Sequence, residues 1–270
     1  MRVSPTPEVS VIMSVYNGMP YLKNAVESIL QQTYKNFEFI ILNDASSDET
    51  QKYLKNLKDQ RIKLIVNKKN LGLAKSLNKT LDIAKGRFIA RMDADDVSLP
   101  KRLEEQLFFL KKHPKIDLCG TWVDLIDSDG KIVGEKKYPT KSKDVKKSIY
   151  WYTAVIHPTF MAKKTFFEKI GGYRVNYDFA EDYDLLQRAK KIFTIVNIPK
   201  KLLLWRLQNN RRSRKNMQKI DKVDLKIKIE ALKRDGFTKD GVLALLWKIF
   251  MMYLLPPKVK VKIATALNKA

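Results

Sequence analysis

The chain has 270 residues, 44% of them hydrophobic and 30% charged, with 10 Gly and 10 Pro spread along it; that holds one large domain, or one domain with a short appendage, and excludes a disordered chain. A single cysteine excludes a disulfide framework and a cysteine-based zinc cluster, and no stretch reaches the roughly 20 apolar residues of a membrane span. Lys and Arg outnumber Asp and Glu by 53 to 29, so the net charge of +24 favours a polyanionic partner, whether nucleic acid, anionic lipid or a phosphorylated substrate.

Val9–Val15 is a short β-branched run closed by Asn17-Gly18, a strand and its turn. Residues 20–33 follow as a helix, with Leu22, Val26, Ile29 and Leu30 at helical spacing. A buried strand at 37–42 leads to Ser47-Asp48-Glu49, which opens a helix faced by Tyr53, Leu54 and Leu57; Asp48 is assigned to capping. A strand at 62–66, a helix at 73–84 and a strand at 88–92 continue the alternation. Short apolar strands alternating with helices predict an α/β fold, a mostly parallel sheet covered on both faces, with its ligand site beyond the carboxyl ends of the strands. A helix at 100–112 ends at His113-Pro114, a strand spans 118–126 with Cys119 in its apolar run, and Asp129-Gly130 signals a turn. Gly171-Gly172 and a helix over 182–191 come next.

Beyond Arg206 the texture changes. From Pro199 onward there are 19 Lys and Arg against 5 Asp and Glu, so most of the positive excess belongs to a C-terminal region. Residues 209–215 form a basic loop, 217–234 a basic helix, 242–255 an apolar helix whose one charge is Lys248, and 258–268 a last basic amphipathic piece after Pro256-Pro257. Two readings of 217–270 stand side by side: helices packed on the preceding α/β domain or a partner, or an interfacial attachment to an anionic membrane surface with Trp247, Tyr253, Lys258, Lys260 and Lys262 at the headgroups. The N-terminus lacks the layout of a secretory signal, so a reducing cytoplasmic location is expected, peripheral on the inner face of the plasma membrane if the attachment reading holds.

Three acidic groups fall at strand ends or before a helix: Asn43-Asp44, Asp93-Ala94-Asp95-Asp96, and Glu181-Asp182. A single carboxylate there is usually an N-cap. The Asp93–Asp96 group is different, because three carboxylates in four residues repel one another unless a cation intervenes. A hard divalent cation resolves that repulsion, and extended geometry puts Asp93 and Asp95 on one side of the chain.

The runs Val9-Ser10-Val11-Ile12-Met13-Ser14-Val15-Tyr16-Asn17, Ser28-Ile29-Leu30-Gln31-Gln32-Thr33-Tyr34 and Phe37-Glu38-Phe39-Ile40-Ile41-Leu42-Asn43-Asp44 resemble glycosyltransferase family 2. So do Asn70-Leu71-Gly72-Leu73-Ala74, Ala84-Lys85-Gly86-Arg87-Phe88-Ile89-Ala90-Arg91-Met92-Asp93-Ala94-Asp95-Asp96, His157-Pro158-Thr159, Gly171-Gly172-Tyr173 and Ala180-Glu181-Asp182-Tyr183-Asp184-Leu185. These blocks keep the family's order over about residues 8–206. The resemblance implies a GT-A, Rossmann-like catalytic domain over 1–206, with 207–270 as a basic helical C-terminal region. It implies an inverting, metal-dependent transferase of hexosyl or N-acetylhexosaminyl groups that uses Mn²⁺ or Mg²⁺. Ser14, Tyr16 and Asn17 would line the nucleotide, Asp44 would accept from the base imide and favour uracil, and Asp93 would face the ribose or sugar. Asp95, with Asp93, would hold the metal. Asp182 would be the catalytic base, with Glu181 orienting it or contacting the acceptor.

The partners so implied are a nucleotide-sugar donor and a saccharide or lipid-linked saccharide acceptor. His157, Trp151 and Arg206 are candidates for acceptor or diphosphate contact, each with a purely structural alternative. Trp205-Arg206-Leu207-Gln208 departs from the family's loop, where many relatives carry a His at the position of Gln208; Arg211, Arg212 and Ser213 follow. A nucleic-acid-binding protein is not expected, since no reading motif accompanies the charge. A nucleotidyltransferase, or a non-catalytic nucleotide-sugar or polyanion binder, is the alternative function. The former would carry a Gly-rich, Arg-containing phosphate loop where this chain has Asn17-Gly18-Met19-Pro20.

Overall fold

The structure is a computed structural model that describes residues 6–177, 179–207 and 217–254. Its first half repeats strand and helix in the expected order: β1 (Val9–Val15), α1 (Leu22–Leu30), β2 (Phe37–Asn43), α2 (Thr50–Lys55), β3 (Ile62–Val66), α3 (Leu73–Ile83) and β4 (Phe88–Arg91). β3, β2, β1 and β4 lie side by side in that order, all parallel. Alternation along β1 and β2 feeds two cores. Val9, Val11, Met13, Phe37, Phe39 and Ile41 meet Val26 and Ile29 of α1 on one face, while Ile12 and Ile40 meet Ala74 and Leu77 of α3 on the other. Both faces are therefore covered, which is why these strands read as continuous apolar runs.

The second half is mixed. β5 (Val97–Ser98) precedes α4 (Arg102–Lys112), β6 (Leu118–Ile126) forms a hairpin with β7 (Ile132–Lys136), and α5 (Ser142–Ile149) follows. β8 (Met161–Lys163), α6 (Lys164–Ile170), α7 (Glu181–Ala189) and β9 (Ile195–Arg206) complete it. The sheet runs β3-β2-β1-β4-β8-β6-β9-β5, with β7 on the far side of β6. Its long ladders are parallel; β8, β5 and β7 contribute the short antiparallel ones. Two helices end the described chain, α8 (Met217–Asp235) and α9 (Lys239–Ile249), and a π-helical turn over Phe250–Leu254 continues α9.

One polar group fixes the amino end of the parallel half. Glu38 is buried in β2, where it accepts from Ser10 Oγ of β1 (2.6 Å) and from the Lys85 amide (2.6 Å) and pairs with Lys63 of β3 (2.5 Å). Gly86 completes the turn, donating its amide to Ser10 Oγ at 2.8 Å; a Cβ there would meet the Ser10 backbone nitrogen at 2.4 Å.

α8 packs on α7. Ile227 meets Tyr177, Ala180 and Tyr183, while buried Lys228 donates to Tyr183 Oη (2.5 Å) and the Tyr150 carbonyl (2.6 Å). Lys190 pairs with Asp235 at 2.7 Å. The C-terminal helices are thus joined to the α/β part of the chain. No helix among the described residues is long and apolar enough to cross a membrane. The expected loop at 209–215, with Arg211, Arg212 and Ser213, and the expected piece at 258–268 lie outside the described residues.

Candidate active site

The carboxyl ends of β1, β2 and β4 open onto a cleft of about 880 Å³. β1 delivers Ser14, Tyr16 and Asn17 to its wall. Asn17 takes a left-handed backbone (φ 52°), a conformation that Asn tolerates better than most residues. There its amide donates to Ser46 Oγ (2.9 Å) and its Oδ1 accepts from the Ser47 amide (2.8 Å). Asp48 accepts from the amides of Met19 and Thr50, so it both starts α2 and holds the β1 loop. The loops after β1 and β2 are therefore tied into one wall.

Asp44, at the end of β2, is buried on that wall. Its Oδ1 accepts from Asn67 Nδ2 (2.7 Å) and the Leu71 amide (2.8 Å), and its Oδ2 from the Gly72 amide (2.9 Å). A carboxylate offers about four acceptor positions, so one on Oδ2 is left for the cleft. Gly72 adopts φ 85°, a conformation that suits glycine and lets the loop wrap the carboxylate before α3 begins.

β4 delivers the acidic cluster. One carboxylate oxygen from each of Asp93, Asp95 and Asp96 lies within 4.8 Å of the others. Asp96 is fully buried and accepts the Arg206 amide at 2.9 Å, whereas Asp93 and Asp95 line the cleft. Two hard oxygen donors facing the cleft fit a divalent cation that completes its shell with phosphate oxygens and water. Arg91 lies beneath them, fully buried, and forms an ion pair with Asp93. Burial opposes its charge, but Asp93 more than restores it and holds the guanidinium above its ordinary value.

The third contribution comes from the start of α7, where Glu181 and Asp182 line the cleft. Asp182 Oδ1 accepts its neighbour Tyr183's amide at 2.7 Å, within the electropositive first turn. Burial raises the Asp182 carboxyl above its ordinary value, and nearby Asp93 adds to the rise; the Tyr183 amide and Arg91 oppose it. His157 reaches the cleft from a 3₁₀ turn over His157–Thr159, with Nε2 against Tyr173 Oη at 2.8 Å. Burial, assisted by Arg91, pushes its pKa well down, so it is neutral. The His-Pro-Thr and Gly-Gly-Tyr motifs meet in this contact. Gly171 and Gly172 both take positive φ, which swings Tyr173 inward, and Asn78 clamps its backbone on both sides at 2.9 and 2.7 Å.

Two sequence candidates stand elsewhere. Trp151 is exposed and lies outside the lining of the cleft. Arg206 is buried, with Nε on the Asp95 carbonyl (2.9 Å) and Nη1 on the carbonyls of Asp127 and Ser128 (2.9 and 3.0 Å). Those bonds brace the acidic loop. Among the lining residues without an assigned role are Arg91, Tyr138 and Trp205. Arg91 had a legible signal, since it stands two residues before Asp93 and so on the same side of an extended chain.

The cleft is acidic in a strongly basic protein. Asp44, Asp93, Asp95, Glu181 and Asp182 face Arg91, the one Lys or Arg among its described lining residues. An anionic ligand would need a cation on the acidic pair to enter it, and the net charge of +24 is carried by residues outside the cleft lining. The cleft thus brings together an acidic pair that could hold a cation, the half-buried Asp182 carboxylate and a polar wall.

Comparison with known proteins agrees. The family model for glycosyl transferase family 2 matches residues 10–171. An uncharacterized glycosyltransferase of Methanocaldococcus jannaschii is 38% identical over 222 residues, covering 79% of this chain and 76% of its own. The O-antigen biosynthesis glycosyltransferase WbnJ of Escherichia coli is 36% identical over 208 residues, covering 74% and 80%. The crystal structure of S. aureus TarS 1–349 in complex with UDP-GlcNAc superposes with a TM-score of 0.72 at 19% identity, over 91% of this chain and 73% of that one, a likeness of fold. The sheet and its flanking helices are those of the GT-A fold, and the chain belongs to glycosyltransferase family 2.

Proposed function

We propose that the protein is an inverting glycosyltransferase that moves a sugar from a uridine diphosphate donor to a hydroxyl of a saccharide or lipid-linked saccharide during cell-surface glycan synthesis. The observation that carries this reading is the convergence of Asp182, from α7, and the Asp93/Asp95 pair, from β4, on one cleft. Tyr16 and Asn17 line the base and ribose, and the remaining acceptor position on Asp44 receives an imide N–H, which uracil has and cytosine lacks. Asp182 takes the proton from the acceptor hydroxyl as its oxygen attacks the anomeric carbon; the new glycosidic bond forms as the bond to the diphosphate oxygen breaks on the opposite face. Glu181 positions Asp182, and Arg91 pairs with Asp93. Asp95 and Asp93 would hold Mn²⁺ or Mg²⁺, which neutralises the charge that develops on the diphosphate. The O-antigen role in the name of the E. coli relative supports a cell-surface acceptor.

Thermal-shift measurements with UDP, GDP, CDP and ADP, each with and without Mn²⁺, test the donor and the metal together. A ligand at about 100 times its Kd adds roughly 2.7 kcal/mol. The expected result is a UDP shift that needs the metal and is lost in Asp95→Ala, with Asp182→Asn retaining the shift but losing transfer. Absence of a shift with every nucleotide overturns the reading.

A further inference from the structure

Helix α9 is inverted relative to an ordinary surface helix. It packs on α8 through its small residues, Gly241 and Ala244; a Cβ on Gly241 would meet Leu232 Cδ2 at 2.7 Å. Lys248 also turns inward and bridges Asp221 and Asp224 of α8 at 2.8 and 2.6 Å. What faces solvent is the apolar set: Leu243, Leu246, Trp247 and Phe250 are 44, 56, 48 and 39% exposed. Their spacing is that of one helical stripe, and the Trp247 ring stacks on Phe250 at 5.7 Å. Tyr253, 68% exposed, follows them. A stripe of this kind marks an interface rather than a solvated surface.

Charge selects the partner. Lys239 is exposed at the start of α9 beside half-buried Asp240, and the sequence from Ile249 onward carries Lys258, Lys260, Lys262 and Lys269 with no acidic residue. A second copy of the chain would bring the same basic segment and be repelled. An acidic bilayer surface fits both properties, because the apolar stripe enters the acyl boundary, Trp and Tyr sit at the headgroup level, and lysines meet lipid phosphate. We propose that α9 is an interfacial anchor that seats this protein on an anionic membrane. Because α8 carries α9 on one side and packs on the start of α7 through Ile227, the anchor stands one helix away from Glu181 and Asp182. This inference goes beyond the transfer reaction, and its test uses no activity.

The full chain is mixed with vesicles of phosphatidylcholine alone, or of equal parts phosphatidylcholine and phosphatidylglycerol, and sedimented. The expected result is co-sedimentation with the acidic vesicles alone, weakened by salt, and reduced about tenfold or more in Leu246→Glu/Phe250→Glu. Both positions are exposed, so the variant should keep the wild-type melting temperature. A blue shift of tryptophan fluorescence on acidic vesicles, absent in Trp247→Phe, would place α9 itself at the lipid. Failure to bind acidic vesicles overturns the proposal, as does equal binding by the double variant, which would mean charge alone. A wild-type dimer that the double variant converts to monomer, without vesicle binding, would assign the stripe to self-association instead.

Discussion

Replacing Asp44 by Asn keeps the volume of the side chain while removing its charge and turning one acceptor into a donor. With the amide oxygen in the Oδ1 position, the bonds from Asn67 Nδ2 and the Leu71 amide survive. The amide nitrogen then opposes the Gly72 N–H, which retains Asn70 Oδ1 at 3.0 Å as its second acceptor. The flipped amide is worse, since it opposes two donors and keeps one. A buried donor left unsatisfied costs about 1–3 kcal/mol, and loss of charge assistance in the two surviving bonds adds to it, for roughly 2–4 kcal/mol in all. At about 2–4 °C per kcal/mol for a chain of this size, the melting temperature should fall by roughly 4–15 °C. The acceptor position offered to the base also becomes a donor, so UDP affinity should fall by about tenfold or more, at 1.4 kcal/mol per decade. Thermal melts and titration calorimetry with UDP and Mn²⁺ measure both effects. A variant that melts with the wild type and binds UDP equally well would refute the assignment of Asp44 to the loop and to the base alike.

Gly86→Ala places its methyl 2.4 Å from the Ser10 backbone nitrogen and 2.7 Å from the Val9 carbonyl carbon, where no rotamer change can relieve it. A loss of about 2 kcal/mol or more is expected from urea denaturation, and a loss under about 0.5 kcal/mol would contradict the packing. As the proposed general base, Asp182 would act only when ionised, and burial, seconded by Asp93, raises its pKa. The acid limb of kcat/KM should therefore lie above the usual carboxylate value of about 3.9, and a limb at or below that value would argue for another base. Burial lowers Lys228 to about 8, with Lys248 assisting and Asp224 opposing. Between that pH and the ordinary lysine range the unfolded chain binds more protons than the folded one, so this group makes stability rise with pH. Melting temperatures of wild type and Lys228→Met, compared from neutral to alkaline pH, should show the rise in the wild type alone.

Much of the parallel half was legible because its determinants are local. Apolar strands alternate with helices of clear periodicity, and the loops between them carry Asn, Asp and Gly where the backbone turns. The carboxylates of the cleft were legible for the same reason, since each follows its strand or opens its helix directly. The mixed half hid itself. β5 and β8 are two and three residues long, too short to show a period, and exist only through pairing with distant partners. β9 contains Pro199, Lys200 and Lys201, which interrupt its apolar pattern. The structure absorbs Pro199 and Lys200 in an irregularity opposite Thr121 and Trp122 of β6, so the strand continues through them. Arg206 stands open between an acceptor or diphosphate contact and a structural role because a basic residue near the end of a sheet is ambiguous by sequence; the carbonyls of Asp95, Asp127 and Ser128 that it meets come from segments about 80 to 110 residues away. The apolar run of α9 read equally as buried or interfacial, because composition cannot tell which side of a helix its neighbour covers. Gly241, Ala244 and Lys248 decide it only once α8 is in place.

The buried Glu38 contact set has a consequence for how this chain can diverge. It holds β1, β2, β3 and the turn into β4 together from their amino ends, at the opposite edge of the sheet from Asp44 and Asp93. Architecture and chemistry thereby draw on different residues. Loops at the working edge can accumulate substitutions that alter which sugar is accepted while the register of the sheet stays fixed, so selection can explore new specificities here without first having to rescue the fold.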